Sequence, residues 1–411
     1  MPKEAWRSNL YIIAIAEFIC LLGFSLFMPF LPLYIQQKGG FTNAEAAVWV
    51  GIASGFAGLA MFVSSPVWGL LADRWGRKPM LLRAQFGGAI CVGLMAVAPN
   101  VFFLAGFRIV QGLFTGTVAA ASALIASMTP KEKLPYSMGI LMAAVLGGQT
   151  MGPLLGGFLS DRFGFTITFY ITSGLLALGG IIILLVVKES FQRPAHGQTT
   201  SMRSLLQLAS SRQIFPLLLV LAALSIGPQI TSPVVPLIIN SLNVTGNAAT
   251  ESGAAYALLG IIAAISSLVF SRFHGRFPVR NILVFCCIGT GLLYILPIFA
   301  GSSTQLIVLI GLTGLLNGGI IISSNSLVGL SVPVSQQGVA YGLSQSASSL
   351  GGGIGPFIGG GLSPLIGLRN VFAVSSGVFA VVGFLALKLI PNIQIRKKED
   401  SADSNTGVRP A

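Results

Sequence analysis

Apolar runs of about 20 residues or more recur down this chain, each long enough to cross roughly 30 Å of hydrocarbon as a helix. They fall near 10–36, 47–72, 80–98, 101–127, 136–160, 165–187, 214–240, 251–273, 280–300, 303–330, 338–362 and 370–390. In lipid no water satisfies open backbone groups, so runs of this length must be helices. Composition agrees. Only 9% of the 411 residues are charged, whereas soluble domains carry roughly 25%. Lipid, not water, has to solvate most of this surface. The first run is too long for the apolar core of a secretory signal and reads as a spanning helix that stays.

Twelve spans put both termini on one side, and basic residues tell which. Of the 24 Lys and Arg, 20 fall on the side of the termini. Lys38, Arg162 and Arg369 fall opposite, and Arg108 is left within a span. Both termini are therefore expected to be cytoplasmic. The same distribution removes a nucleic-acid reading of the +13 formal charge, because the positive residues are spread over many short loops rather than gathered into a patch.

The chain repeats itself. Pro29-Phe-Leu-Pro32-Leu in the first span returns as Pro233-Val-Val-Pro236-Leu in the seventh, 204 positions on. Gly152-Pro153-Leu-Leu-Gly156-Gly157 in the fifth returns as Gly355-Pro356-Phe-Ile-Gly359-Gly360 in the eleventh, 203 positions on. Thr172-Ser-Gly174 returns as Ser375-Ser-Gly377 at the same offset. The expected architecture is an all-α membrane protein, twelve helices in two pseudo-symmetric six-helix halves, with substrate bound between them near the midplane. The halves are 1–187 and 214–390. Residues 188–213 form a polar cytoplasmic linker, part of which is helical in pattern (Met202, Leu205, Leu206, Ala209), and 391–411 read as a disordered tail.

Four local features carry chemistry. The loop after the second span reads Gly69-Leu-Leu-Ala-Asp73-Arg74-Trp-Gly76-Arg77-Lys78. Gly69 lets helices approach closely, Gly76 permits a tight turn, and Asp73 can face a helix N-terminus or an arginine. Such a charged latch can be made in one state and broken in another, or the loop can serve topology alone. The second copy departs from it, with Gly275 opposite Asp73 and Ser271 opposite Gly69.

Charges inside the membrane are costly, about 3 kcal/mol or more at a helix centre, and two lie well within spans. Glu17 sits about seven residues into the first run, roughly 10 Å deep, where burial favours its neutral form. Leu21, Phe24 and Met28 follow on the same helical face. These four form the expected binding surface, on which Glu17 takes protons, a cationic substrate, or both in turn. The alternative is a hydrated carboxylate near the cytoplasmic interface. Arg108, on a helix running inward, lies toward the outer half, so a direct pair with Glu17 is not assured. Gly148, Gly152, Pro153, Gly156 and Gly157 bring small residues and a helix-bending proline to the fifth span. They suit close contact between the halves on the outer side, or packing alone.

On these residues the chain resembles the major facilitator superfamily over about 6–390. Gly69 to Lys78 resembles its cytoplasmic signature loop, Arg108 with Gln111 and Gly112 its basic motif in the fourth span, and the fifth-span glycine run its antiporter signature. Met28-Pro29-Phe-Leu-Pro32-Leu-Tyr34 resembles the first helix of twelve-span drug:proton antiporters, and the MdtG-type bacterial multidrug transporters are the most similar group. The resemblance implies the major facilitator fold, alternating access, a coupling role for Arg108, efflux of antibiotics or other amphipathic molecules, and a bacterial inner membrane. It implies a proton gradient rather than a cofactor, with small-molecule substrate, protons and lipid as partners to a monomer. Rival readings are a transporter of one metabolite, such as a sugar or amino-acid derivative, and a membrane sensor that kept the fold.

An enzyme is not expected. No Gly-Lys-Ser/Thr follows any glycine run, so a phosphate loop is missing. His196 and His274 are predicted in loops, offering no metal or catalytic pair. Cys20, Cys91, Cys286 and Cys287 lie inside apolar runs without ligand spacing and read as packing residues.

Overall fold

The structure, a computed structural model, describes residues 5–189, 207, 209–211, 214–244, 246–273, 276–332 and 337–390. Most of the linker, the tail and both histidines lie outside them. All regular structure among the described residues is helical.

Twelve helices follow in order. In the first half, α1 is Ala5–Phe27, continued through a 3-10 turn, Met28–Phe30, into Leu31–Gly39. Then come α2 (Asn43–Trp75), α3 (Arg77–Ala96), α4 (Val101–Phe114, resuming as Thr117–Met128), α5 (Leu134–Phe163) and α6 (Phe165–Val186). In the second half, α7 is Phe215–Thr231, resuming as Val235–Leu242. It is followed by α8 (Ala248–Phe273), α9 (Val279–Leu293 with the turn Leu296–Phe299), α10 (Ser303–Leu330), α11 (Gln337–Ile366) and α12 (Val371–Leu389).

Eleven of these are long and apolar enough to cross a membrane on length and composition alone. The exception, α11, is rich in Gly and Ser and packs most extensively on α2 and α7, so protein rather than lipid meets much of its surface.

The two sequence copies fold alike. In the first half α1 packs on α5 and α6, α2 on α4, and α3 on α6. In the second, α7 packs on α11 and α12, α8 on α10, and α9 on α12. The repeated Pro-x-x-Pro segments break α1 and α7 at matching places, since proline removes a backbone donor. Thr172 Oγ1 donates to the Gly23 carbonyl at 2.6 Å, pinning α6 to α1. Ser375 Oγ does the same to the Gly227 carbonyl at 2.7 Å, pinning α12 to α7. The third repeated anchor is thus a hydroxyl that staples two apolar helices.

Between the halves, α2 meets α11 and α5 meets α8. We call the end of the bundle carrying the termini the terminal end and the opposite one the distal end. The hydrophobic cores of the halves merge toward the distal end, where Phe27, Leu31 and Leu104 belong to one cluster with Leu237 and Ile239. A second cluster, including Leu10, Ile13, Leu81, Leu124 and Ile183, stays inside the terminal side of the first half. The molecule is joined distally and divided toward its termini.

Candidate functional site

Glu17 is fully buried, at 0% exposure, inside the first half rather than between the halves. It stands on α1 with Ala16, Cys20 and Leu21 buried around it. Gln85 of α3 donates its Nε2 to Glu17 Oε1 at 3.4 Å. The hydroxyl of Thr117, on α4, lies beside the same carboxyl and 3.9 Å from Cys20 Sγ. Glu17 Oε2 and Gln85 Oε1 are buried with no hydrogen-bond partner among the described residues. The cluster is therefore rich in acceptors and short of a proton.

The fourth helix is built to meet that carboxyl. An unbroken helix is expected over 101–127, but α4 is interrupted at Thr115, which is extended, and Gly116, with φ of 113°. L side chains rarely adopt this left-handed backbone, and glycine adopts it freely. The interruption makes Thr117 the first residue of a new helix, in mid-membrane, next to Glu17. Helix N-termini carry partial positive charge and unsatisfied N–H groups. The new helix end and the Gln85 amide thus meet at the one carboxyl.

Among the other residues of the expected binding surface, Leu21 is buried while Phe24 and Met28 are half-buried. In this conformation Glu17 and Leu21 present no surface to a molecule between the halves.

Arg108 does not reach Glu17. Its guanidinium donates to Gln111 Oε1, one turn on, and no carboxylate stands within ion-pair distance of it among the described residues. A second in-span cation is Arg83, one of the 20 basic residues that the sequence places on the side of the termini. It sits six residues into α3 and stacks 3.7 Å over the Trp68 ring. The Trp68 indole N–H donates to the Leu113 carbonyl at 2.7 Å, tying α2 to α4.

The signature loop is held within its own half. Gly76 (φ 97°) ends α2 and opens α3. Both Glu189 carboxylate oxygens accept from the Arg77 and Lys78 backbone N–H groups at 2.9 Å, capping α3. Lys78 Nζ in turn caps the end of α6, donating to the carbonyls of Leu184 (2.9 Å) and Val187 (2.6 Å). Arg74 is exposed, and the Asp73 side chain lies outside the described atoms. A Cβ at Gly69 would meet nothing within 4 Å, so the close helix approach expected there is not made in this state.

The fifth-span glycines divide into two sets. A Cβ at Gly148, Gly152 or Gly156 would run into the α1 backbone at Phe18, Leu22 and Leu26. In the repeat, Gly351, Gly355 and Gly359 meet Ala222, Ile226 and Ile230 of α7 in the same way. These glycines therefore pack inside each half, not across it. Gly157 is the one turned outward, against Ala249 of α8, while the Pro153 carbonyl abuts Gly253. The repeat has Gly360 against Ala47 and the Pro356 carbonyl against Gly51. Main chain meets main chain across the halves, on the distal side.

A carboxylate that sequence reasoning passed over reinforces this seal. Asp161, at the end of α5, accepts from the backbone N–H groups of Ala249 (3.2 Å) and Thr250 (2.7 Å), so one half caps a helix of the other. Nearby, Asn240 Nδ2 donates to Gln36 Oε1 at 3.4 Å, also across the halves. A signal for Asp161 existed. Gly157-x-Leu-x-Asp161-Arg-x-Gly164 has the pattern of Gly69-x-Leu-x-Asp73-Arg-x-Gly76, and Gly164 (φ 83°) repeats the positive φ of Gly76. A hollow of about 350 Å³ beside Asp161, lined also by Leu33, Gln36 and Asn240, contains none of the expected site residues.

Asp161→Ala is expected to shift the molecule toward a distally open state. Loss of a helix cap costs about 1 kcal/mol, and this cap exists only while the halves are closed. The distance between spin labels at the exposed Gly40 and Val244 should lengthen, with the open population rising roughly fivefold. An unchanged distance distribution would deny Asp161 that role.

Comparison with known proteins gives the family and the fold. The family model described as Major Facilitator Superfamily matches residues 13–302 and 275–410. A multi-drug resistance efflux pump PmrA homolog of Lactococcus lactis is 34% identical over 382 residues, covering 92% of this chain and 94% of the relative. The multidrug resistance protein MdtG of Serratia proteamaculans is 32% identical over 401 residues, covering 96% and 97%. Among solved structures, a bacterial homolog of the human lysosomal transporter Spinster superposes with a TM-score of 0.76 at 13% identity, covering 95% of this chain and 98% of that one. The nucleoside transporter NupG gives 0.75 at 15%, covering 93% and 98%.

Proposed function

This chain belongs to the Major Facilitator Superfamily, and from that premise we propose that it is a proton-coupled exporter of amphipathic small molecules, drugs among them. It works as a monomer in the bacterial inner membrane with both termini in the cytoplasm. It needs no cofactor, because a proton gradient supplies the energy. Relatives named as a multi-drug resistance efflux pump and a multidrug resistance protein match over almost the whole chain, which supports the cargo class, and the first name supports the direction.

The observation that carries the proton coupling is the sealed acceptor cluster of Glu17 and Gln85 beside the broken helix α4. A buried polar group without a partner is costly, and a proton on Glu17 turns a surplus acceptor into a donor. Arg108, on the distal side of that cluster, keeps a second positive charge out of its immediate surroundings.

In the orientation given by the basic loops, the distal end is external. Merged distal cores and the Asp161 cap then describe an inward-facing state, ready to load cargo from the cytoplasm or the inner leaflet. Cargo loading displaces the Glu17 proton to the cytoplasm and restores the charge that the α4 helix end holds in place, and the proton is regained from outside after the cargo leaves. The change is felt along α1, whose glycine-packed partner α5 carries the distal seal.

The test is reconstitution into liposomes with fluorescent amphipathic drugs and an imposed pH gradient. Gradient-driven drug movement is expected, with opposing proton flux, and dissipation of the gradient by an ionophore should stop it. Drug movement indifferent to the gradient would rule out the coupling, and no movement across the panel would move the protein to the single-metabolite reading.

A further inference from the structure

Arg108 and Gln111 share the first segment of α4 and form a second buried cluster, opposite in character to that of Glu17. The guanidinium donates to Gln111 Oε1, which occupies the amide oxygen. What remains are donors: Arg108 Nε and Gln111 Nε2 are both buried without a hydrogen-bond partner, and Gln111 is at 0% exposure. Arginine has no acceptor and keeps its charge. A buried unpaired charge is tolerated where a partner of opposite character arrives.

The direction in which this cluster opens follows from the helix face. Leu104, Ala105, Gln111 and Gly112 are buried on the face that Arg108 centres. Phe102, Phe103, Val110 and Leu113 are exposed on the opposite one, which suits lipid. Arg108 is half-buried and centres the inward face of this segment, away from its lipid-facing side. It lies about 10 Å below the distal end of α4, under the seal made by Gly157, Gly253, Gly360 and Gly51. Glu17, the one acidic residue well within a span, is closed off among α1, α3 and α4 and offers a substrate no countercharge here.

We infer that Arg108 and Gln111 form a docking site for the anionic end of the cargo, and that amphiphiles bearing a carboxylate are its preferred substrate class. This rests on the exporter reading given above and deepens it. The fork of Arg108 matches a carboxylate in plane, the fully buried Gln111 beneath it holds the guanidinium through its amide oxygen, and the apolar body of the molecule trails toward the terminal opening. The expectation of an apolar cation paired with Glu17 gives way to a proton on Glu17 and an acid on Arg108.

The test uses the purified full-length protein and three dansyl probes with one apolar body, ending in a carboxylate, a carboxamide or a trimethylammonium group. Fluorescence anisotropy should give roughly tenfold tighter binding of the carboxylate than of the carboxamide, about the weight of one charge-assisted contact, and the weakest binding for the ammonium. Arg108→Gln and Gln111→Leu should each collapse the carboxylate-to-carboxamide ratio toward one, with Arg108→Lys restoring part of it. Gel-filtration profiles establish that each variant is folded, and Gln111→Leu carries the test alone if Arg108→Gln is not. Equal affinities for carboxylate and carboxamide in the wild type, or preference for the ammonium, would overturn the assignment. A separate liposome assay with the carboxamide probe keeps the two readings apart. Failure of gradient-driven export there, with the binding preference intact, removes the exporter and leaves the anion site.

Discussion

Replacing Glu17 with Gln should abolish gradient-driven transport while leaving a protein that folds and exchanges cargo down its own gradient. The substitution keeps the shape of a protonated glutamic acid and its ability to accept from Gln85, so the buried cluster around it survives. What it removes is the reversible charge. With Glu17 unable to ionise, the α4 helix end at Thr117 faces a permanently neutral partner, and a proton can no longer be traded for cargo. Counterflow of labelled drug should therefore persist when uphill export has fallen to background. The discriminating measurement is proton release on drug addition, followed with a pH-sensitive dye in weakly buffered detergent. Wild-type protein should exchange protons on binding drug, and Glu17→Gln should not. Full uphill export by the variant would put the coupling group elsewhere.

The second large effect concerns neighbouring glycines that look interchangeable in sequence. Gly156→Ala and Gly157→Ala should fail in different ways. A methyl at Gly156 is driven into the Leu26 carbonyl of α1, within the same half. Backbone cannot turn aside as a side chain does, and overpacking of this kind costs roughly 1–3 kcal/mol. Thermal stability should fall clearly, with the balance between conformations little changed. A methyl at Gly157 is driven instead into the Ala249 carbonyl of α8, in the other half. Each half can still pack as before, but the distally closed state is penalised. Stability should hold, while labels at Gly40 and Val244 move apart as in Asp161→Ala. Gly174→Ala serves as a control, because nothing stands within 4 Å of a Cβ there. Matching thermal shifts for the Gly156 and Gly157 variants would show that the two faces are not energetically distinct.

This division explains how far the sequence could be read. Span number and pseudo-symmetry were legible because lipid demands long apolar helices and a duplicated half leaves anchors at a nearly constant offset. Pro29 and Pro233, or Thr172 and Ser375, need no knowledge of their neighbours to be matched. The azimuth of each helix was not legible. Gly148, Gly152 and Gly156 show the four-residue spacing of a packing stripe, yet nothing in that spacing says whether the stripe faces α1 or α8. The same blindness hid Gln85 and Thr117, which complete the Glu17 cluster from two other helices. The interruption of α4 at Gly116 was hidden for another reason. With 51 glycines in the chain, one more inside an apolar run is no signal. Glu189 escaped notice because it follows α6 directly and reads as part of a polar linker, although its oxygens cap α3. Asp161 was within reach, since its Asp-Arg-x-Gly context duplicates that of Asp73.

The distal seal has a consequence for how such a protein changes over generations. It is closed by carbonyls against glycines, with a carboxylate on backbone N–H groups, so the barrier is made of main chain and is indifferent to what the cavity holds. Side chains facing the cavity are free to vary without loosening it. A lineage built this way can widen or redirect its cargo range in single steps and never pass through a leaky intermediate.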